Sequence, residues 1–210
     1  RGYITPQEFN LFANQSQMEI FEQYFYDENQ FGRAPGNSTE YSDMLDLLKE
    51  KIAIFKISTT IPLSSGQGTL PMNMYRLGNI YNSFYGNYKI EQVDENELAN
   101  IQNSIIKPTK KKPVFITGNN IITVYPISGS ANVKITYVKK PIPVNWGYNV
   151  VDEHALYDLG INSTDFELHA SEEASLVMKI LVLAGITLKD PALYQVAEAS
   201  EVKKIQQEKQ

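Results

Sequence analysis

The chain has 210 residues, 42% of them hydrophobic and 20% charged, with a formal net charge of −5. This is the composition of one large domain, or of one domain carrying an inserted subdomain, and it excludes a disordered chain, a collagen and a coiled-coil rod. The absence of cysteine excludes a disulfide scaffold, a thiolate zinc site, an iron–sulfur cluster and a cysteine nucleophile, and the acidic balance argues against a protein that coats nucleic-acid phosphates.

The first predicted element is a helix over residues 5–26. Thr5 caps it, Pro6 suits its first position, and Glu8 completes a capping box with Thr5. Phe9, Phe12, Ala13, Ile20, Phe21, Tyr24 and Phe25 recur at helical spacing, so one face is apolar and largely aromatic. Residues 27–40 read as loop. A second helix is expected over 42–52, with Met44, Leu45, Leu48 and Ile52 on one face. Pro62, Pro71 and Ser64-Ser65-Gly66-Gln67-Gly68 read as a flexible excursion.

Between 70 and 143 the period changes toward two. Tyr75, Leu77, Ile80 and Phe84 suggest a strand, and Asp94 with Glu97 caps a short helix ending near Ser104. Lys107 to Pro113 is a basic loop. Three strands follow at 114–116, 121–125 and 133–137, read as a meander. In the last, Val133, Ile135 and Tyr137 alternate with polar residues, which predicts one buried face. Pro141, Pro143 and the sole tryptophan, Trp146, end the sheet, and a loop is expected to about Thr164. Ser171 is the expected cap of an apolar helix that ends at Gly185. Asp190-Pro191 starts a final helix, so the C-terminus reads as a helical hairpin with a polar tail after Val202. The helix over 172–184 is apolar nearly all round, as in helices sandwiched within a core or between chains.

Catalytic and metal-binding patterns are sparse. His154 and His169 lie in no metal-ligand spacing, Gly66-Gln67-Gly68-Thr69 lacks a phosphate-binding lysine, and no nucleophile elbow occurs. Carboxylate pairs such as Asp165 and Glu167 are of the type a glycosidase uses as acid and base, but such pairs are common on an acidic protein and most are solvated. Lys107, Lys110, Lys111 and Lys112 form the basic cluster, read as a solvated loop that keeps a sheet edge from pairing. No cofactor or metal is expected. The opening residues lack the apolar core of a signal peptide, and no stretch reads as a membrane span, so no membrane partner is expected.

A resemblance emerges from several segments together. They are Tyr125-Pro126, Val133 to Pro141, Trp146-Gly147-Tyr148, Asp165-Phe166-Glu167-Leu168, the apolar helix ending Ala184-Gly185-Ile186, and Gly2 to Phe12 at the N-terminus. Over most of its length the chain resembles virion structural proteins of tailed phages, especially crAss-like phages, and is similar to the head-to-tail adaptor or ring proteins of short-tailed phages. That resemblance implies a non-enzymatic component localised to the virion. It would assemble as a dodecameric ring below the portal, contact the portal and neighbouring tail or ring proteins, and let genomic DNA pass through its lumen without specific binding.

The expected fold is α+β: a bundle of about four helices, formed by the N-terminal helix, the second helix and the C-terminal hairpin, with a small antiparallel sheet inserted in the middle. Residues 1–57 with 165–210 would form the helical core and 58–164 the inserted β-rich subdomain. Phe9, Phe12, Trp146, Tyr148, Leu176, Ile180 and Ile205 are the candidate subunit or ring contacts. Two alternatives stand beside this reading. One is a tail-associated carbohydrate-binding module using Trp146, Tyr148 and the tyrosines of 81–88. The other is a carboxylate-dependent hydrolase.

Overall fold

The computed structural model describes residues 3–33, 39–82, 88–127, 131–152, 154–157 and 163–188, together with 195, 196, 199 and 202. The chain divides into two compact units, Arg1–Ile54 with Pro141–Gln210, and Phe55–Lys140.

The first unit is built on α1 (Pro6–Arg33), which packs against both α2 (Thr39–Ala53) and α4 (Glu173–Leu188). The capping box forms as the sequence predicts. The Thr5 amide donates to Glu8 Oε2 at 2.9 Å, and the Glu8 amide donates to Thr5 Oγ1 at 3.3 Å. Phe12, Ala13, Ile20, Phe21, Tyr24 and Phe25 are buried along one face. The helix continues to Arg33, beyond the expected end at 26, although Asp27, Asn29 and Gly32 are poor helix formers. In α2, Leu48 and Ile52 are buried as expected.

Two end signals were misread at α4. His169, not Ser171, caps the preceding turn (Ala170–Glu172), its Nδ1 accepting from the Ser171 amide at 3.2 Å. Gly185 is buried inside the helix, which runs on to Leu188. A glycine there costs about 1 kcal/mol relative to alanine, too little to end a well-packed helix. The expected final helix lies mostly outside the described residues, although 195, 196, 199 and 202 are helical. Phe84 also lies outside them.

The expected helical bundle with a small antiparallel sheet is overturned by the second unit. Its sheet has seven strands, β1 (Lys56–Leu63), β2 (Gln67–Thr69), β3 (Met74–Asn82), β4 (Tyr88–Gln92), β5 (Val114–Gly118), β6 (Ile121–Tyr125) and β7 (Ala131–Lys139), in the order β1-β7-β3-β4-β5-β6-β2. It is mixed, because β4 and β5 are parallel and every other pair is antiparallel. A parallel pair needs a crossover, and α3 (Glu95–Gln102) supplies it. The two edge strands are joined by a tight turn in which Ser64 and Gln67 exchange backbone hydrogen bonds of 2.8 and 2.9 Å. The sheet is therefore curled into a nearly closed barrel.

The predicted excursion at 58–71 is thus two strands. Pro62 is tolerated because β1 is an edge strand that ladders only with β7. Ser65 and Gly66 have φ of 51° and 77°, the left-handed pair that a two-residue hairpin turn requires. The predicted meander is also corrected. β5 and β6 pair, but β7 inserts between β1 and β3. Val133, Ile135 and Tyr137 do point inward, joining Ile61, Leu63, Ile80, Ile90, Phe115 and Ile122 in the barrel core. Gly78 sits where β3 bulges against β7, and a Cβ there would lie 2.7 Å from the Thr136 carbonyl oxygen. The expected side-chain cap of α3 does not form. Asp94 occupies the N-cap position, but its carboxylate makes no capping hydrogen bond.

Candidate functional site

In the first unit, α1 presents Asn10, Asn14 and Gln17 at helical spacing toward the extended segment 142–146. Asn14 Oδ1 accepts from the Val144 amide at 2.7 Å, and its Nδ2 donates to the Val144 carbonyl at 2.8 Å. Asn10 Oδ1 accepts from the Trp146 amide at 2.7 Å, and its Nδ2 donates to Asn145 Oδ1 at 3.0 Å. Gln17, fully buried, donates to the Ile142 carbonyl at 2.9 Å and accepts from the Glu167 amide at 3.1 Å. Glu167 Oε2 accepts from the Ile142 amide at 2.9 Å. Three side chains of one helix thus take the place of a neighbouring strand. The sequence reading missed them because it followed only the apolar face of α1.

This brace positions Trp146. Its ring meets Phe9 edge-on, with centroids 5.8 Å apart and planes at 72°, and lies nearly parallel to Tyr157 at 6.3 Å and 14°. Tyr148 completes the cluster at 6.2 Å from Trp146. Beyond it, the segment expected to be loop forms a two-stranded ribbon, β8 (Tyr148–Val151) and β9 (His154–Tyr157). Tyr148, Val150, Ala155 and Tyr157 share one face of the ribbon, and Asn149, Val151, His154 and Leu156 the other. Val150 and Tyr157 on the first face are 67% and 49% exposed, and Val151 and Leu156 on the second are 49% and 53% exposed. Both faces of the ribbon therefore offer apolar side chains to solvent.

The candidate contact residues separate accordingly. Phe9, Trp146 and Tyr148 come together, half-buried, at the base of the ribbon. Phe12 and Leu176 are buried within the unit. Ile180 is half-buried on α4, where Val177 is exposed. Ile205 lies outside the described residues. The ribbon residues Val150, Val151 and Leu156 were missed; four-residue strands leave too short an alternation to register.

A buried ion pair links α2 to the start of α4. Lys51 Nζ contacts Glu172 Oε1, and the two side chains are 11% and 8% exposed. Lys51 also lies 5.7 Å from the centre of the Tyr24 ring on α1, so one ammonium ties three elements together.

The chemistry-bearing groups do not converge. Glu167 is engaged with the Ile142 amide, and Asp165 is exposed. His154 is exposed on β9, while His169 caps a turn. Among the described residues no group of three or more His, Asp or Glu could hold a metal. A cleft of 370 Å³ over β3–β5 has Asn79, Lys89, Glu91 and Gln92 among its walls, with no histidine or paired carboxylate. Of the tyrosines proposed for a glycan platform, Tyr88 is exposed and Tyr81 half-buried. Among the described residues no helix is long and apolar enough to cross a membrane. No protein-family model matches the chain, and no curated protein matches it.

Proposed function

We propose that this chain is a structural component of a tailed-phage virion, a ring-forming adaptor at the junction of head and tail. The observation that carries the reading is the β8–β9 ribbon. A two-stranded ribbon is marginal alone in water. This one holds large apolar side chains exposed on both faces, and such surface marks an interface. The apolar helix α4, with Val177 open to solvent, adds to it. Heterologous contacts of this kind close into a ring when the rotation between copies permits. About twelve copies would stack below the portal, touch neighbouring tail or ring proteins, and let genomic DNA thread the lumen without sequence-specific contact. The role is geometric and needs no cofactor.

The test is native mass by light scattering, with negative-stain imaging of the same sample, alone and with purified portal protein. Closed rings are the expected result. A chain of 23.8 kDa that remains monomeric in both conditions would refute the proposal.

A further inference from the structure

The net charge of −5 conceals a segregation. The unit Phe55–Lys140 holds ten lysine and arginine residues against four carboxylates, a net of +6. The other unit holds nine cations against twenty carboxylates, a net of −11. No aspartate or glutamate occurs between Leu98 and Val151.

The basic charge concentrates in the loop after α3. Lys107, Lys110, Lys111 and Lys112 are all exposed, and the turn Thr109–Lys112 is pinned by backbone hydrogen bonds of 3.2 and 3.0 Å. Ile105 and Ile106, directly before them, are fully and 81% exposed. Among the described residues none of these four lysines makes an ion pair. The macrodipole of α3 does not account for the cluster. That effect fades within the last turn, and the helix ends at Gln102. Nor does it account for two adjacent isoleucines in water.

The complementary surface is on α2. Asp43, Leu47 and Glu50 recur at spacings of four and three residues, which aligns them on one face of α2, and Ile54 follows in the turn directly after the helix. Leu47 and Ile54 are 40% and 44% exposed, and both carboxylates are exposed. Among the described residues neither Asp43 nor Glu50 makes an ion pair. One surface is basic and apolar, the other acidic and apolar, and they belong to different units.

We infer that the loop Ser104–Lys112 of one copy docks on the α2 stripe of the next copy, with Ile105 and Ile106 against Leu47 and Ile54 and the lysines around Asp43 and Glu50. This rests on the ring reading and adds a second contact to the one offered by the β8–β9 ribbon. Unlike surfaces on one chain make a heterologous interface, the kind that builds a ring or filament. Nucleic acid is the weaker candidate. Phosphates would engage the lysines but leave the isoleucines in water, and no aromatic side chain lies in the loop for base stacking.

The test is a charge swap in the full chain, read by sedimentation across protein concentration at about 0.05 M and 1 M salt. Lys110→Glu/Lys111→Glu/Lys112→Glu and, separately, Asp43→Lys/Glu50→Lys should each weaken self-association at low salt by at least about tenfold. Combining both sets in one chain should restore it, because reversed loop then meets reversed stripe. A folding defect would not be rescued this way. Ile105→Asp/Ile106→Asp should weaken association at both salt concentrations. Wild-type assembly that is indifferent to both reversals overturns the loop contact and leaves the ring reading standing. Swap-sensitive assembly into open filaments supports the contact and overturns the ring. A wild-type chain that stays monomeric throughout, or a loop reversal that abolishes only binding to a DNA duplex or to anionic vesicles, overturns the docking proposal.

Discussion

Asn14 offers the sharpest test of how the first unit is held together. Its side chain satisfies both backbone groups of Val144, at 2.7 and 2.8 Å, and Val144 is 6% exposed. Asn14→Ala removes the two hydrogen bonds to Val144, worth about 1 kcal/mol each, along with a local one from Nδ2 to the Asn10 carbonyl at 2.7 Å, and leaves the Val144 donor and acceptor without partners. Orphaned groups of this kind cost about 1–3 kcal/mol, reduced where water reaches them. Against this, alanine is the better helix former by about 0.5 kcal/mol. The net expectation is a loss of about 2.5 kcal/mol. With a urea m-value near 2 kcal/mol/M, the unfolding midpoint falls by about 1.2 M.

The assay is urea denaturation followed by Trp146 fluorescence. Trp146 is the only tryptophan, and its own amide is held by Asn10. The signal therefore comes from the braced segment itself. Gln15→Ala is the matched control, since Gln15 is exposed and its Nε2 meets only Glu19, at 3.0 Å. A shift for Asn14→Ala no larger than the control's would refute the idea that α1 side chains replace a strand partner here. Asn14→Asp should be no milder. It keeps the acceptor for the Val144 amide but sets a carboxylate against the carbonyls of Val144 and Asn10.

Three further outcomes are expected. Lys51→Met leaves the Glu172 carboxylate buried and unpaired, so it should cost about 3–5 kcal/mol, while Lys51→Met/Glu172→Leu should recover most of that loss; thermal unfolding of both variants checks this. Gly78→Ala should destabilise the barrel by about 2 kcal/mol through its clash with the Thr136 carbonyl, whereas Gly118→Ala, with open space around the added carbon, should stay within about 0.5 kcal/mol; circular dichroism during denaturation separates them. Val177→Lys should leave the stability of the isolated chain within about 0.5 kcal/mol while weakening assembly at least about tenfold, measured by sedimentation.

The helices were legible wherever local chemistry decided them. Thr5 and Glu8 specify the start of α1 through groups three residues apart, and the structure forms those bonds. The inward face of β7 was legible because nine residues give alternation room to show. β4 was not, since Ile90 is its single buried side chain. β1 and β2 were hidden by proline and serine, which mark loops except at an edge strand and in a left-handed turn. Strand order was beyond reach, because β7 pairs with strands far earlier in the chain. For the site, an aromatic or aliphatic residue on a helix satisfies its own core first, so Phe12 and Leu176 were consumed inside the unit. The opposite charges of the two halves were present in the sequence, but they cancel until the boundaries at 54/55 and 140/141 are known.

The segment after the barrel shows why side chains do what a ladder usually does. Pro141 and Pro143 carry no amide hydrogen, so 141–146 cannot run as a central strand. Its remaining donors must still be satisfied where they are shielded from water. Each finds a separate partner: the Ile142 amide takes Glu167, Val144 takes Asn14, Asn145 takes the Thr164 carbonyl at 3.2 Å, and Trp146 takes Asn10. The backbone bonds of a ladder do not by themselves set its register, because every residue offers the same groups and the buried face has to decide. A brace of individual side chains does set it, since each bond needs its own residue opposite. Trp146 is thereby fixed in register against Phe9, and the β8–β9 ribbon leaves the unit from a fixed base. A ring contact needs that property. An exposed apolar arm that had to be ordered at each docking would lose part of its binding free energy to conformational entropy, whereas one anchored by its own unit meets the neighbour already placed.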